Sequence, residues 1–307
     1  MLRAQFVCHQ PYLQMEDQFE RLLRRRRAAI AAGHDEEARG IAVVGASGSG
    51  KTTSVRRLFR KHRSLLAPED KEAAAIVSLQ VPSPATLKHV GYTMLNALGY
   101  PLQRDKPAAF IWDQVRTLLH RRKTMFVHLD EVQDLFTNGN PLALAAVLNT
   151  LKSLMNNPDW PVGLILSGMP KTVEMINSDD QLRRRVFPIY LAPISWAAHA
   201  QEIRKLFAGY VERAGLDPVD DLARDEFLAR LVHAGANEFG LIVEMILGGI
   251  EEALHAGRTA LTVNDFTQAF ARKTGCLHAQ NPFVAEDYPA IDARMLLGLT
   301  GISGAGG

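Results

Sequence analysis

The stretch Gly45-Ala46-Ser47-Gly48-Ser49-Gly50-Lys51-Thr52 fits the pattern G-x-x-x-x-G-K-[ST], and its surroundings are those the pattern needs. An apolar run at 41–44 leads into it, and a helical pattern through Ser54, Val55, Leu58 and Phe59 follows. Glycines let such a loop wrap closely, so that successive backbone N–H groups and the helix N-terminus converge on phosphate oxygens. Lys51 then offsets charge on the β- and γ-phosphates, and the Thr52 hydroxyl ligates magnesium, with Thr53 beside it. The expectation is an ATP and Mg2+ site lined by Gly45, Ala46, Ser47, Gly48, Ser49, Gly50, Lys51, Thr52 and Thr53. The alternative is a chance glycine-rich turn.

Working outward, Met125-Phe126-Val127-His128-Leu129-Asp130-Glu131 is an apolar strand pattern ending in adjacent carboxylates. Such a pair divides two tasks. Asp130 is expected to hold magnesium, directly or through water, and Glu131 to polarise the attacking water as general base. A helix cap or a solvated acidic pair is the competing account, and His128 reads as an ordinary strand residue. The run at 162–166 ends in Ser167-Gly168, a small hydroxyl at a strand end, where by resemblance AAA+ ATPases keep a polar group that touches the γ-phosphate or the attacking water. Turn chemistry alone also accounts for a serine there. Asp179-Asp180-Gln181-Leu182-Arg183-Arg184-Arg185 stands just before the run at 187–191, the position from which, by resemblance, AAA+ subunits project an arginine finger into a neighbour's ATP site. Three successive arginines cannot share one direction on a helix, so at most two are fingers, and surface salt bridges are the alternative.

Apolar or β-rich runs at 41–44, 75–81, 125–129, 162–166 and 187–191 alternate with helical patterns, which predicts an α/β fold with a parallel five-stranded sheet. From about Ile194 the strand signals stop. Stripes of Ile203, Leu206, Phe207 and Tyr210, and of Ile242, Met245, Ile246 and Ile250, predict a small α-helical lid domain. The expected organisation is an N-terminal helical segment at 1–33, an α/β nucleotide-binding domain at 34–194, the lid at 195–275 and a tail at 276–307. Pro282, Pro289 and the terminal Gly-Ala-Gly-Gly suggest that the tail is mobile. The N-terminal helical pattern at 15–32 carries Phe19, Leu22, Leu23 and Ile30. Its Arg24, Arg25, Arg26 and Arg27 read either as a solvated face or as a phosphate-contacting patch.

A net charge of +2 gives no global signal for nucleic acid, so any such contact has to be local. Cys8 and Cys276 alone cannot make a disulfide framework or a four-ligand zinc site, which fits a reducing cytoplasm. No apolar run approaches the ~20 residues of a membrane span, and the start lacks a signal-peptide pattern, so no membrane partner is expected.

The order and spacing of these parts resembles the TniB/TnsC family of AAA+ transposition ATPases. The likeness covers residues 5 to about 275 and includes Val81-Pro82-Ser83, Leu98-Gly99-Tyr100-Pro101, Asp130-Glu131-Val132-Gln133 and Ser178-Asp179-Asp180-Gln181-Leu182. The resemblance implies an AAA+ P-loop NTPase that polymerises on double-stranded DNA with ATP, as a ring or helical filament, and hands the insertion site to a DDE transposase, often with a TniQ-type targeting protein. The family pattern Q-L-x-x-R-F gives the finger role to Arg185 first and Arg184 second, and makes Ser167 the polar residue called sensor 1. Relatives track a phosphate backbone with the insertion that here carries Lys88, Arg104 and Lys106; scattered surface cations are the alternative. One departure stands out. The segment Gly235-Ala236-Asn237-Glu238-Phe239-Gly240-Leu241 lacks the arginine that many AAA+ proteins use as sensor 2, which implies slow turnover. A helicase loader or replication initiator, and a nucleotide-dependent signalling switch acting on protein partners, are the other functions weighed.

Overall fold

The computed structural model describes residues 9–33, 36–62, 75–136 and 141–299. Cys8, the first residues of the chain and the glycine-rich stretch at 304–307 lie outside them. Two compact units emerge among the described residues, one of 9–46 with 51–191 and one of 47–50 with 192–299.

In the first unit β1 (Gly40–Gly45), β2 (Ile76–Gln80), β3 (Phe126–Asp130), β4 (Gly163–Gly168) and β5 (Val186–Leu191) form one sheet in the order β2-β3-β4-β1-β5. Every pairing is parallel, as the alternation of apolar runs with helical patterns predicts. β1 lies between β4 and β5, and all six of its residues are buried, which is why it reads as a continuous apolar run instead of an alternating one. The helices of this unit are α1 (Gln10–Ala32), α2 (Lys51–Lys61), α3 (Leu87–Ala97), α4 (Ala108–Arg121), α5 (Pro141–Met155), α6 (Lys171–Asn177) and α7 (Asp180–Arg185). Because the strands are parallel, the chain leaves β1, β3 and β4 on the same side, at their carboxyl ends. The glycine loop, Asp130 and Ser167 are therefore neighbours there despite their separation in sequence.

Helix α1 begins at Gln10, ahead of the expected 15, with a proline in its first turn and Gly33 closing it in the left-handed region at φ 65°. Its buried side is Tyr12, Met15, Phe19, Leu23, Arg26 and Ala29. Arg26 thus departs from both readings of the arginine run: it is buried, with its guanidinium 4.8 Å from the centre of the Trp160 ring. Arg25 pairs with Glu36 at 3.0 Å.

The second unit contains α8 (Trp196–Ala214), α9 (Asp225–Ala234), α10 (Phe239–His255) and α11 (Val263–Thr274), with a two-residue parallel pair of β6 (Asp217–Pro218) and β7 (Ala260–Leu261). Both predicted stripes enter its core. The start of α11 is fixed by a reciprocal cap: Thr262 and Asp265 bond each other's ends, and Arg258 adds two bonds to the Asp265 carboxylate. Burial works against ionisation of Asp265, but the Arg258 and Thr262 donors outweigh it and hold its carboxyl below the usual range.

The tail is packed, with buried side chains, over 276–299. Phe283 is buried among Phe227, Phe266 and Phe270, and Asn281 is buried with its amide donating to the Thr267 carbonyl at 2.9 Å. Arg230 donates to the carbonyls of Pro282 and Ala285, and Arg294 of the short helix α12 (Ala293–Leu296) pairs with buried Glu238 at 2.9 Å. Prolines do stop regular helix here, but irregular backbone whose carbonyls have donors packs as firmly as helix. Burying one phenylalanine contributes roughly 1.5–3 kcal/mol. No single described helix is long and apolar enough to cross a membrane.

Candidate nucleotide site

The loop between β1 and α2 turns through Gly48 at φ 83° and Gly50 at φ 95°, backbone states that side chains with a Cβ rarely adopt. Lys51, the first residue of α2, is buried, and its Nζ donates to the carbonyls of Gly45 and Ala46 at 2.9 Å each. The Ser49 hydroxyl is buried and hydrogen-bonds to no group among the described residues. A buried ammonium, a helix start and a hydroxyl without an acceptor together suit a polyanion rich in acceptor oxygens.

Asp130 is the last residue of β3 and Glu131 follows it. Thr52 Oγ1 donates to Asp130 Oδ2 at 3.1 Å, so the hydroxyl and the carboxylate expected to share a cation are in contact. Both are hard oxygen ligands, and Mg2+ uses few protein ligands because it retains water and phosphate oxygens. Ser167, wholly buried at the end of β4, donates to Asp130 Oδ1 at 2.5 Å. The backbone N–H of Glu131 donates to the same oxygen at 3.1 Å.

Glu131 adopts φ 57°, a left-handed state that costs a residue with a Cβ roughly 1–2 kcal/mol. A specific partner accompanies it: the Gln133 amide donates to Glu131 Oε2 and accepts from the Met169 N–H at 3.0 Å. Gln133 thereby ties the acid after β3 to the turn after β4, a role that the sequence reading did not assign.

His128 is the larger omission. It is buried in β3, with Nδ1 2.8 Å from Ser78 Oγ on β2 and Nε2 2.8 Å from Ser167 Oγ on β4. Burial pushes its imidazole down to about 4, against the pull of the nearby Asp130 charge. The Phe59 ring of α2 stands edge-on to it at 5.4 Å.

The arginines of α7 have separate surroundings. Asp179 caps the helix, accepting from the N–H groups of Gln181 and Leu182, and pairs with Lys152 at 2.5 Å. Burial opposes ionisation of Asp179, but Lys152 and the backbone donors hold its carboxyl below the usual range. Arg183 pairs with Asp180 on the same helix. Arg185 is bound within its own chain, donating to Glu37 at 2.8 Å and to the Asn156 side-chain oxygen. Arg184 is exposed and has no side-chain partner among the described residues.

The three candidate phosphate contacts share one corner. Tyr92 Oη bonds the Arg104 carbonyl, the Asp105 carboxylate and the Lys106 N–H. Lys88 pairs with Asp105 at 2.5 Å, and Lys106 Nζ lies 5.4 Å from the centre of the Phe110 ring. In the second unit the segment without a sensor 2 arginine bends through Ala236 and Asn237, both at positive φ, and presents buried Glu238 to Arg294.

Comparison with known proteins agrees with this architecture. The family model described as "Bacterial TniB protein" matches residues 3–196, more than half of the 307-residue chain. No match is found among curated proteins. Among solved structures, the Aeropyrum pernix ORC2 protein, in ADPNP-ADP complexes, aligns with TM-score 0.60 and 18% identity over 83% of this chain and 67% of that one. The Aeropyrum pernix ORC1 protein in complex with DNA gives 0.57 and 15%, over 82% and 64%. Drosophila ORC bound to DNA gives 0.53 and 14%, over 85% and 59%. These likenesses establish an AAA+ fold, and the chain spans only about three-fifths to two-thirds of those proteins' lengths.

Proposed function

The chain belongs to the TniB family, and from that premise we propose that it is an ATP-hydrolysing regulator of DNA transposition. In this reading it assembles with ATP on duplex target DNA, as a ring or helical filament, and recruits or activates a DDE transposase, with a TniQ-type protein as a further partner. The observation that carries the reading is the contact of Thr52 and Ser167 with the two oxygens of Asp130, beside buried Lys51.

Lys51 offsets phosphate charge, while Thr52 and Asp130 would hold Mg2+, which would supply charge neutralisation at the phosphate oxygens. Glu131, oriented through Oε2 by Gln133, takes the proton of the attacking water on its carboxylate. Arg185 or Arg184 supplies positive charge to a neighbouring subunit's site, which couples hydrolysis to assembly. Lys88, Arg104 and Lys106 contact phosphates without reading bases, as a protein accepting many targets requires.

Electron microscopy with ATP and plasmid DNA, combined with steady-state hydrolysis, tests this. Lys51→Ala is expected to abolish nucleotide binding and coated DNA; Glu131→Gln is expected to keep binding, slow hydrolysis and prolong assembly. Unchanged turnover in the Glu131 variant, or wild-type protein that never assembles on DNA, refutes the reading.

A further inference from the structure

Ser78, His128, Asp130 and Ser167 come from three adjacent strands and lie on one face of the sheet. His128 and Asp130 are two apart on β3, Ser78 is in register with His128, and Leu129 is in register with Leu166, which places Ser167 beside Asp130. The resulting contacts run Ser78 to His128 to Ser167 to Asp130, with separations of 2.8, 2.8 and 2.5 Å.

Proton counting gives this chain a direction. A serine hydroxyl has one proton, and a carboxylate oxygen can only accept. If Ser167 aimed that proton at His128, its oxygen lone pairs would face those of Asp130 Oδ1 across 2.5 Å, which is repulsive. The Ser167 proton therefore belongs to Asp130, and His128 must donate through Nε2–H. Nδ1 is then bare and accepts from the Ser78 hydroxyl. The opposite tautomer would set a bare Nε2 lone pair against the Ser167 oxygen, lose that contact and leave Ser167 with Asp130 alone.

We propose that His128 is a positioning residue of the hydrolytic site, held by Ser78 as the Nε2–H tautomer so that it keeps the Ser167 proton on Asp130. The inference rests on the ATPase reading, since it assigns His128 its purpose through Asp130. With Ser167 and the Glu131 N–H on Oδ1 and Thr52 on Oδ2, the carboxylate has donors at both oxygens and a fixed plane. Removing the imidazole donor leaves the Ser167 hydroxyl able to turn away, and the carboxylate loses a fixed partner. Outer partners of metal-holding groups typically matter by about 10–100-fold in metal affinity or activity.

The test uses the full chain. His128→Phe retains an aromatic ring against Phe59 but cannot donate, whereas His128→Gln restores an N–H donor toward Ser167. Steady-state hydrolysis is expected to show about 10–100-fold lower kcat, or a Mg2+ half-saturation raised by the same factor, in His128→Phe. KM for ATP is expected to change little, with most of the loss recovered in His128→Gln. Nitrogen NMR of the wild-type imidazole is expected to show Nε2 protonated and Nδ1 bare, and this preference is expected to weaken in Ser78→Ala. The proposal is overturned if the phenylalanine variant matches the glutamine variant in kcat and Mg2+ dependence, or if the imidazole carries its proton on Nδ1. Should His128→Phe fail to fold, Ser78→Ala and the wild-type spectrum decide by themselves. Wild-type protein lacking Lys51-dependent hydrolysis would instead refute the ATPase reading; the imidazole spectrum and the Mg2+ dependence of fluorescent-ADP binding would then still decide the role of His128.

Discussion

Replacing Glu37 with alanine is expected to speed DNA-stimulated ATP hydrolysis if Arg185 is the finger. Arg185 is held in its own chain by Glu37 at 2.8 Å and by Asn156, so it must leave both before its guanidinium can reach a neighbouring subunit's phosphates. The Glu37 side chain is 64% exposed and that of Arg185 13%, so water screens the pair from one side and it contributes about 0.2–1 kcal/mol. Removing that amount raises the released fraction about 1.4- to 5-fold, since ~1.4 kcal/mol corresponds to a factor of ten. Hydrolysis at saturating ATP and duplex DNA should rise by the same factor in Glu37→Ala, while Arg185→Ala binds ATP and loses stimulation. Mixing Arg185→Ala with Lys51→Ala should restore part of the activity at mixed interfaces. Unchanged or slower hydrolysis in Glu37→Ala, alongside loss in Arg185→Ala, refutes the idea of a parked finger. Loss in Arg184→Ala with activity kept in Arg185→Ala assigns the finger to the exposed arginine, which has no such contact to break.

Two further outcomes follow from the same geometry. Lys88→Ala and Lys106→Ala should each weaken binding about equally for unrelated duplexes and flatten the plot of log K against log salt by about 0.9, whereas Asp105→Asn should strengthen binding by freeing Lys88; wild-type affinity and slope in both lysine variants exclude this surface. Asp179 and Asp265 both have folded-state carboxyls held below their usual range, so their contribution to stability is full above about pH 4 and is lost as pH falls through the lower folded values. Denaturant melts between pH 2 and pH 6 should show that loss diminished in Asp265→Asn, and an identical pH profile in the variant counts against the Arg258 and Thr262 contacts.

The strands and the phosphate loop were legible because their signals are local. The five-strand pattern depends on apolar runs a few residues long, and the loop on glycines whose φ values of 83° and 95° only such a sequence tolerates. What escaped depends on partners distant in sequence. Nothing about His128 distinguishes it from a neutral strand residue until β2 brings Ser78 and β4 brings Ser167 to either side of it, 50 and 39 positions away. Tail residues fail to read as core for the same reason. Pro282 is a sound sign that helix stops, but it says nothing about Phe283 meeting Phe227, or about Arg230 donating to the Pro282 carbonyl 52 positions away. Arg26 shows the complementary error, since a run of four arginines looks uniform until helical periodicity turns one of them inward onto Trp160. In each case the side chain's chemistry was visible and its direction was not. Direction decides whether a charge is solvated, stacked or catalytic, and it is set by partners far away in the sequence. The predicted site residues escape that difficulty because parallel strands all deliver their carboxyl ends to one side, so the loop after β1, Asp130 of β3 and Ser167 of β4 come together whatever the strand order.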